Sequence, residues 1–127
     1  MLNALIIDDN RETADGLKKI LSLFEIDAEI AYGSAHGLAA LGEKTPEAVF
    51  LDINMPGMSG LEIMAQIKNE PRLSEVPVII ITSDDQEETT EKVRQGGALA
   101  MIIKPITYAA VERVLQKTQL LAGGAAE

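Results

Sequence analysis

The run VFLDINMPGMSG, residues 49–60, sets one carboxylate, Asp52, at the end of three apolar residues and ahead of a stretch that Pro56, Gly57 and Gly60 keep irregular. A buried strand followed by such a break delivers the acid to its C-terminal end, where open parallel α/β sheets bind ligands. Taken alone, Asp52 fits equally well as a cap for the following turn. Other apolar runs also end in reactive groups. Leu5, Ile6 and Ile7 stop at Asp8 and Asp9, the run 78–82 ends in the hydroxyl of Thr82, and a last apolar stretch ends at Lys104 before Pro105. Three carboxylates at neighbouring strand ends repel one another and stay ionised only with countercharge. Lys104 offsets one charge. The remaining two suit a hard divalent cation with oxygen ligands, Mg²⁺ keeping several waters before any other, and the alternative is a solvated acidic rim without an ion. An aspartate beside a metal ion and a lysine can attack a phosphoryl group, because the cations offset charge on the transferring oxygens. Asp52 would become an aspartyl phosphate, its added charge met by hydrogen bonds from Thr82 and Lys104.

The elements that must position these groups follow from periodicity and punctuation. Strands are predicted at 5–7, 27–32, 49–52, 78–82 and 98–103, the fourth so continuously apolar that it must be buried on both faces. Asn10 is expected to cap a helix carrying Ala14, Leu17, Ile20, Leu21 and Phe24, and Ser34 to cap a short, weak one ending near Gly42 or Lys44. Ser59 and Glu62 have capping-box spacing for a third helix, which ends before Pro71. Asp85 with Glu88 predicts a fourth over 86–95, stopped by Gly96 and Gly97, and Thr107 caps a last helix that Gly123 and Gly124 end or follow as a linker. Five strands alternating with five helices give a single doubly wound α/β fold, a five-stranded parallel sheet in the flavodoxin-like order 2-1-3-4-5. That order makes the first and third strands neighbours, so Asp8, Asp9 and Asp52 share one crevice.

Composition narrows the function classes. Eleven basic against twenty acidic residues give a net charge of −9, which disfavours direct binding to nucleic acid or to an anionic membrane surface. Without cysteine there is neither a disulfide framework nor a thiolate metal site. No apolar run approaches the ~18 residues of a membrane span, and the N-terminus lacks the pattern of a secretory signal, so a cytoplasmic location is expected.

The motifs IIDDN, LDINMPGMSG, VIIITS and IIKP, in that order, closely resemble those of the receiver domain of two-component response regulators, over nearly the whole chain. The resemblance implies a receiver domain over 1–122, with 123–127 a tail or the start of a linker. It implies that Asp52 accepts a phosphoryl group from a sensor histidine kinase, a phosphotransfer protein or a small phosphodonor. Asp9 and Asp52 would ligate Mg²⁺ directly together with the backbone carbonyl of Asn54, and Asp8 through water. Lys104 would pair with the phosphoryl group, its bond to Pro105 would be cis, and Thr82 would be the switch hydroxyl beside the small Ser83. The state would be relayed through the fourth helix, fifth strand and fifth helix to a downstream protein, while Asn54 and Asp84 influence how long the phosphate lasts. The chain departs from the family pattern in two places. Met101 stands where a Tyr or Phe usually turns inward with the switch residue, and a flexible thioether implies a looser coupling. Ala98, Leu99 and Ala100 stand where many DNA-binding regulators carry two acids of a charged dimer surface.

Three other readings compete. A haloacid-dehalogenase-type phosphatase needs an acid two residues beyond the nucleophile, where this chain has Asn54, and places its nucleophile on the first strand. A flavin or nucleotide binder needs a phosphate loop after the first strand, where Asp8 and Asp9 would repel phosphate. A pseudo-receiver acting by contact alone has no use for the complete set of acids, Thr82 and Lys104. His36, the only histidine, lies on a short helix distant in sequence from the acids, which argues against a phosphotransfer role; the glutamates at 87, 88 and 91 read as a solvated helix face, and Met55 and Met58 as loop packing.

Overall fold

The strand 78–82 is the spine of the molecule: in the computed structural model, which describes residues 2–120, Val78, Ile79, Ile80 and Ile81 are wholly buried. The chain runs β1 (Leu2–Ile7), α1 (Arg11–Leu23), β2 (Ile26–Ala31), α2 (Ser34–Glu43), β3 (Ala48–Asp52), α3 (Gly60–Asn69), β4 (Val78–Thr82), α4 (Glu87–Gln95), β5 (Ala100–Ile103) and α5 (Tyr108–Lys117). The strands pair in parallel in the order β2-β1-β3-β4-β5, as expected from the sequence.

Alternation along the strands divides the core into two layers. Leu5, Ile7, Val49, Leu51, Val78 and Ile80 pack with Leu41 of α2, Ile63, Met64 and Ile67 of α3 and Val93 of α4. Ala4, Ile6, Phe50, Ile79, Ile81 and Ile102 face the opposite way, onto Ala14, Leu17 and Leu21 of α1 and Val111, Val114 and Leu115 of α5. With both faces covered, the polar ends of β1, β3 and β4 are left facing the crevice at the C-terminal edge.

Several helix starts follow the caps read from sequence. Asn10 accepts from the Thr13 N–H at 2.9 Å, Ser59 and Glu62 form the reciprocal capping box, and Thr107 accepts from Ala110 N–H at 3.1 Å. Two do not. The cap of α2 is Gly33, while Ser34 opens the helix and donates its hydroxyl to the Pro56 carbonyl at 3.1 Å. At α4 the helix starts at Glu87 without a side-chain cap, and the acid that bonds beside its start is Asp84, which accepts the N–H of the N-cap residue Gln86, rather than Asp85. Strand limits also move. β1 begins at Leu2, where Leu2 pairs with Ile26, and β2 covers Ile26–Ala31. β5 begins only at Ala100, because Ala98 still closes the end of α4 through its N–H to the Val93 carbonyl. The expected tail, 123–127, lies outside the described residues.

Candidate functional site

Each strand end contributes one kind of group. At the end of β1, Asp8 is fully buried; one carboxylate oxygen accepts the Asn10 N–H at 2.9 Å, and the other, Oδ2, has no hydrogen-bond partner. Asp9 points to the exposed side of the same turn. At the end of β3, Asp52 is only 3% exposed. The three carboxylates offer oxygens within 4.8 Å of one another. Lys104, just beyond β5, places its ammonium 3.4 Å from Asp52 Oδ1 and 3.6 Å from Asp8 Oδ2. Its peptide bond to Pro105 is cis.

The electrostatics of this cluster set Asp52 apart. Burial first, and then the charge on Asp8, push its carboxyl up to about 6, against the opposing pull of Lys104. A lone lysine does not balance three acids, and Asp8 Oδ2, 3.6 Å from that lysine and without a hydrogen bond, is where the deficit shows. Buried anionic oxygens without a hydrogen-bond donor are costly, and a bound cation is the usual remedy.

Around the cluster, Thr82 is fully buried at the end of β4, its hydroxyl oxygen accepting the Asp84 N–H at 3.1 Å. Asn54 lies exposed in the loop after β3, and Ser83 is exposed next to Thr82. Asp84 turns its carboxylate towards α4, to the Gln86 N–H and the Thr89 hydroxyl. Met101 is half-buried on β5, beside Ile80 and against the layer that holds α2, α3 and α4. His36 sits exposed on α2, its Nδ1 3.0 Å from the Tyr32 carbonyl, outside the acidic cluster. Met55 and Met58 pack into the core layer beside the loop.

The family model of the response regulator receiver domain matches residues 4–116. The chain belongs to this family. Receiver domains of this kind are the phosphorylation-based signalling part of response regulators. This receiver domain is 32% identical over 108 residues to the polar-differentiation response regulator DivK of Brucella anthropi, covering 83% of this chain and 85% of DivK. Its fold superposes on the chemotaxis protein CheY4 of Vibrio cholerae with a TM-score of 0.86 at 21% identity, over 93% of this chain and 98% of that one. It also superposes on the receiver domain of the sensor histidine kinase PA1611 from Pseudomonas aeruginosa, with a TM-score of 0.81 at 19% identity, over 91% and 95% of the two chains. That structure has a magnesium ion coordinated in its active-site cleft.

Sequence reasoning missed two side chains near the site. The sequence pattern marks Ser34 as a cap, yet its hydroxyl holds the loop that carries Asn54, through the Pro56 carbonyl. Thr89 carries no sequence signal beyond its place in the first turn of a helix, from which a hydroxyl can reach back to a preceding acid, here Asp84.

Proposed function

We propose that this receiver domain is a switch that takes a phosphoryl group onto Asp52. The observation that carries the reading is the pairing of a nearly buried Asp52 carboxylate with Lys104 at 3.4 Å, in a crevice that also holds Asp8 and Asp9. In the transfer, an Asp52 oxygen forms the new bond to phosphorus as the bond to the donor's leaving atom breaks, and the donor keeps that electron pair. The Lys104 ammonium lies where it offsets charge on the transferring group, and the Thr82 hydroxyl supplies a hydrogen bond to a phosphoryl oxygen. The product hydrolyses slowly; no other reaction is assigned to the chain, and neither the dehalogenase-type nor the flavin-binding reading finds support in the family match.

The residues fit Mg²⁺: every donor is oxygen, the acids outnumber the lysine by two, and Asp8 Oδ2 is buried without a hydrogen-bond partner. Asp9, Asp52 and the Asn54 carbonyl would hold the ion directly, and Asp8 through water. When bound, the ion neutralises charge on the phosphoryl oxygens. The donor class is a phosphohistidine on a sensor kinase or phosphotransfer protein, or a small acyl phosphate, and the state passes to a downstream protein through α4, β5 and α5. A cytoplasmic setting agrees with such donors, and no helix among the described residues is long and apolar enough to cross a membrane.

The test is intact-mass analysis after incubation with Mg²⁺ and acetyl phosphate. One phosphoryl adduct, absent without Mg²⁺ and absent in Asp52→Asn, is the expected result. An adduct that persists in the variant would move the site elsewhere. No adduct from acetyl phosphate or from any phosphorylated kinase domain would leave a domain that acts by contact alone.

A further inference from the structure

The segment from Thr82 to Thr89 holds the start of α4 in an unusual way. Gln86, at the N-cap position, makes no side-chain cap of its own. Asp84 instead ties the two sides of this start together: Oδ1 accepts the Gln86 N–H at 2.9 Å and Oδ2 accepts the Thr89 hydroxyl at 2.5 Å. The Thr89 hydroxyl first, and then the Gln86 N–H, hold the Asp84 carboxyl below the usual carboxylate range. The same residue's backbone N–H donates to the Thr82 hydroxyl oxygen at 3.1 Å. Packing does little to fix this end of the helix. Val93 is the one side chain that α4 buries, and it lies in the second half of Glu87–Gln95.

We propose that Asp84 is a latch between the Thr82 hydroxyl and the first turn of α4, a positioning residue that holds the resting arrangement and opposes the phosphorylated one. The inference rests on the reading of Asp52 as phosphoacceptor and Thr82 as its hydrogen-bond donor. For Thr82 to turn its hydroxyl towards a phosphoryl group on Asp52, its oxygen must leave the Asp84 N–H. Movement of that backbone carries the carboxylate with it, and the bonds to Gln86 and Thr89 are lost together. Weakening the latch from the α4 side lowers the cost of the switch without altering any group in the crevice. The two states then differ less in free energy, and a ligand that selects the switched state binds more tightly.

Beryllofluoride with Mg²⁺, a phosphoryl mimic, reads this on the full chain by calorimetric titration, with hydrogen exchange of the α4 amides alongside. Thr89→Ala removes the hydroxyl while favouring a helix. The loss of one hydrogen bond from the resting state predicts a beryllofluoride Kd lower by about 3- to 10-fold. The first-turn amides of α4 then exchange faster than wild type in the resting protein and equally fast in the bound one. Thr89→Ser, which keeps the hydroxyl, restores wild-type behaviour in both. An unchanged or higher Kd in Thr89→Ala overturns the latch, as does an exchange difference that persists in the bound state. Wild type that binds no beryllofluoride overturns the phosphoacceptor reading itself, a result distinct from wild type that binds normally with an unaltered variant.

Discussion

Asp52 has an ammonium 3.4 Å away, yet burial and Asp8 together outweigh that attraction and raise its carboxyl to about 6. An acid whose folded-state pKa lies above its unfolded value near 4 binds more protons in the native than in the unfolded state between those limits. Its contribution to stability is therefore greatest at low pH and falls as pH rises through that window. Without metal, Asp52→Asn should be more stable than wild type at pH 7.5 by about 1 to 3 kcal/mol, with the difference vanishing towards pH 4. Urea denaturation of both proteins across this range checks it; a gap that widens as the pH falls would reverse the sign and refute the account. Met101 carries a second expectation. A flexible thioether beside Ile80 can repack by small steps, so its methyl signal should report several small exchange processes when the domain is activated. A single large, slow process would show that it turns as a rigid ring does. The acids at strand ends were legible because apolar runs stop there abruptly. The choice between Asp84 and Asp85 was not: both precede the helix, and only the direction of the loop backbone decides which carboxylate reaches Gln86.

Helix α3 approaches β3 so closely that Gly60 is part of the site's geometry. A Cβ there would lie 2.1 Å from the Asp52 carbonyl oxygen and 2.8 Å from the Ile53 Cα, both backbone atoms. Neither can move without displacing Asp52. Gly37 is crowded in a different way, its added Cβ 2.6 Å from Ile7 Cγ2, a side-chain methyl that can shift at some cost within its buried surroundings. Gly60→Ala should therefore destabilise the domain by about 2 to 3 kcal/mol and slow phosphoryl uptake. Gly37→Ala should cost less, because strain is partly offset by the roughly 1 kcal/mol that alanine gains over glycine in a helix. Denaturation midpoints together with the rate of adduct formation separate them, and equal loss of uptake rate in the two would show that closeness to Asp52 is irrelevant. The capping box at Ser59 and Glu62 could be read in advance because both partners are local in sequence. The role of Ser34 could not, since its hydroxyl answers to Pro56 on a different loop, 22 residues away.

Across the whole molecule, strands alternating with helices made the order of five parallel strands readable from the sequence, and the residues of those strands feed two core layers. Charge distribution was less readable, because a net charge of −9 says nothing about where repulsion concentrates. The structure puts three carboxylates within 4.8 Å of one another and leaves the buried Asp8 Oδ2 without a hydrogen bond. A ligand that binds only the native state stabilises it by mass action. Mg²⁺ at ten times its Kd should contribute about 1.4 kcal/mol, which for a chain of this size raises Tm by about 4 to 6 °C. Salt alone also relieves repulsion in a protein this acidic, so the comparison must be with NaCl at equal ionic strength. Site binding and general screening then part company. Asp52→Asn removes one of the converging charges and should respond to NaCl as wild type does, while losing most of the response to Mg²⁺. If both proteins gain equally from Mg²⁺, the ion acts on the surface at large and the crevice is an acidic rim.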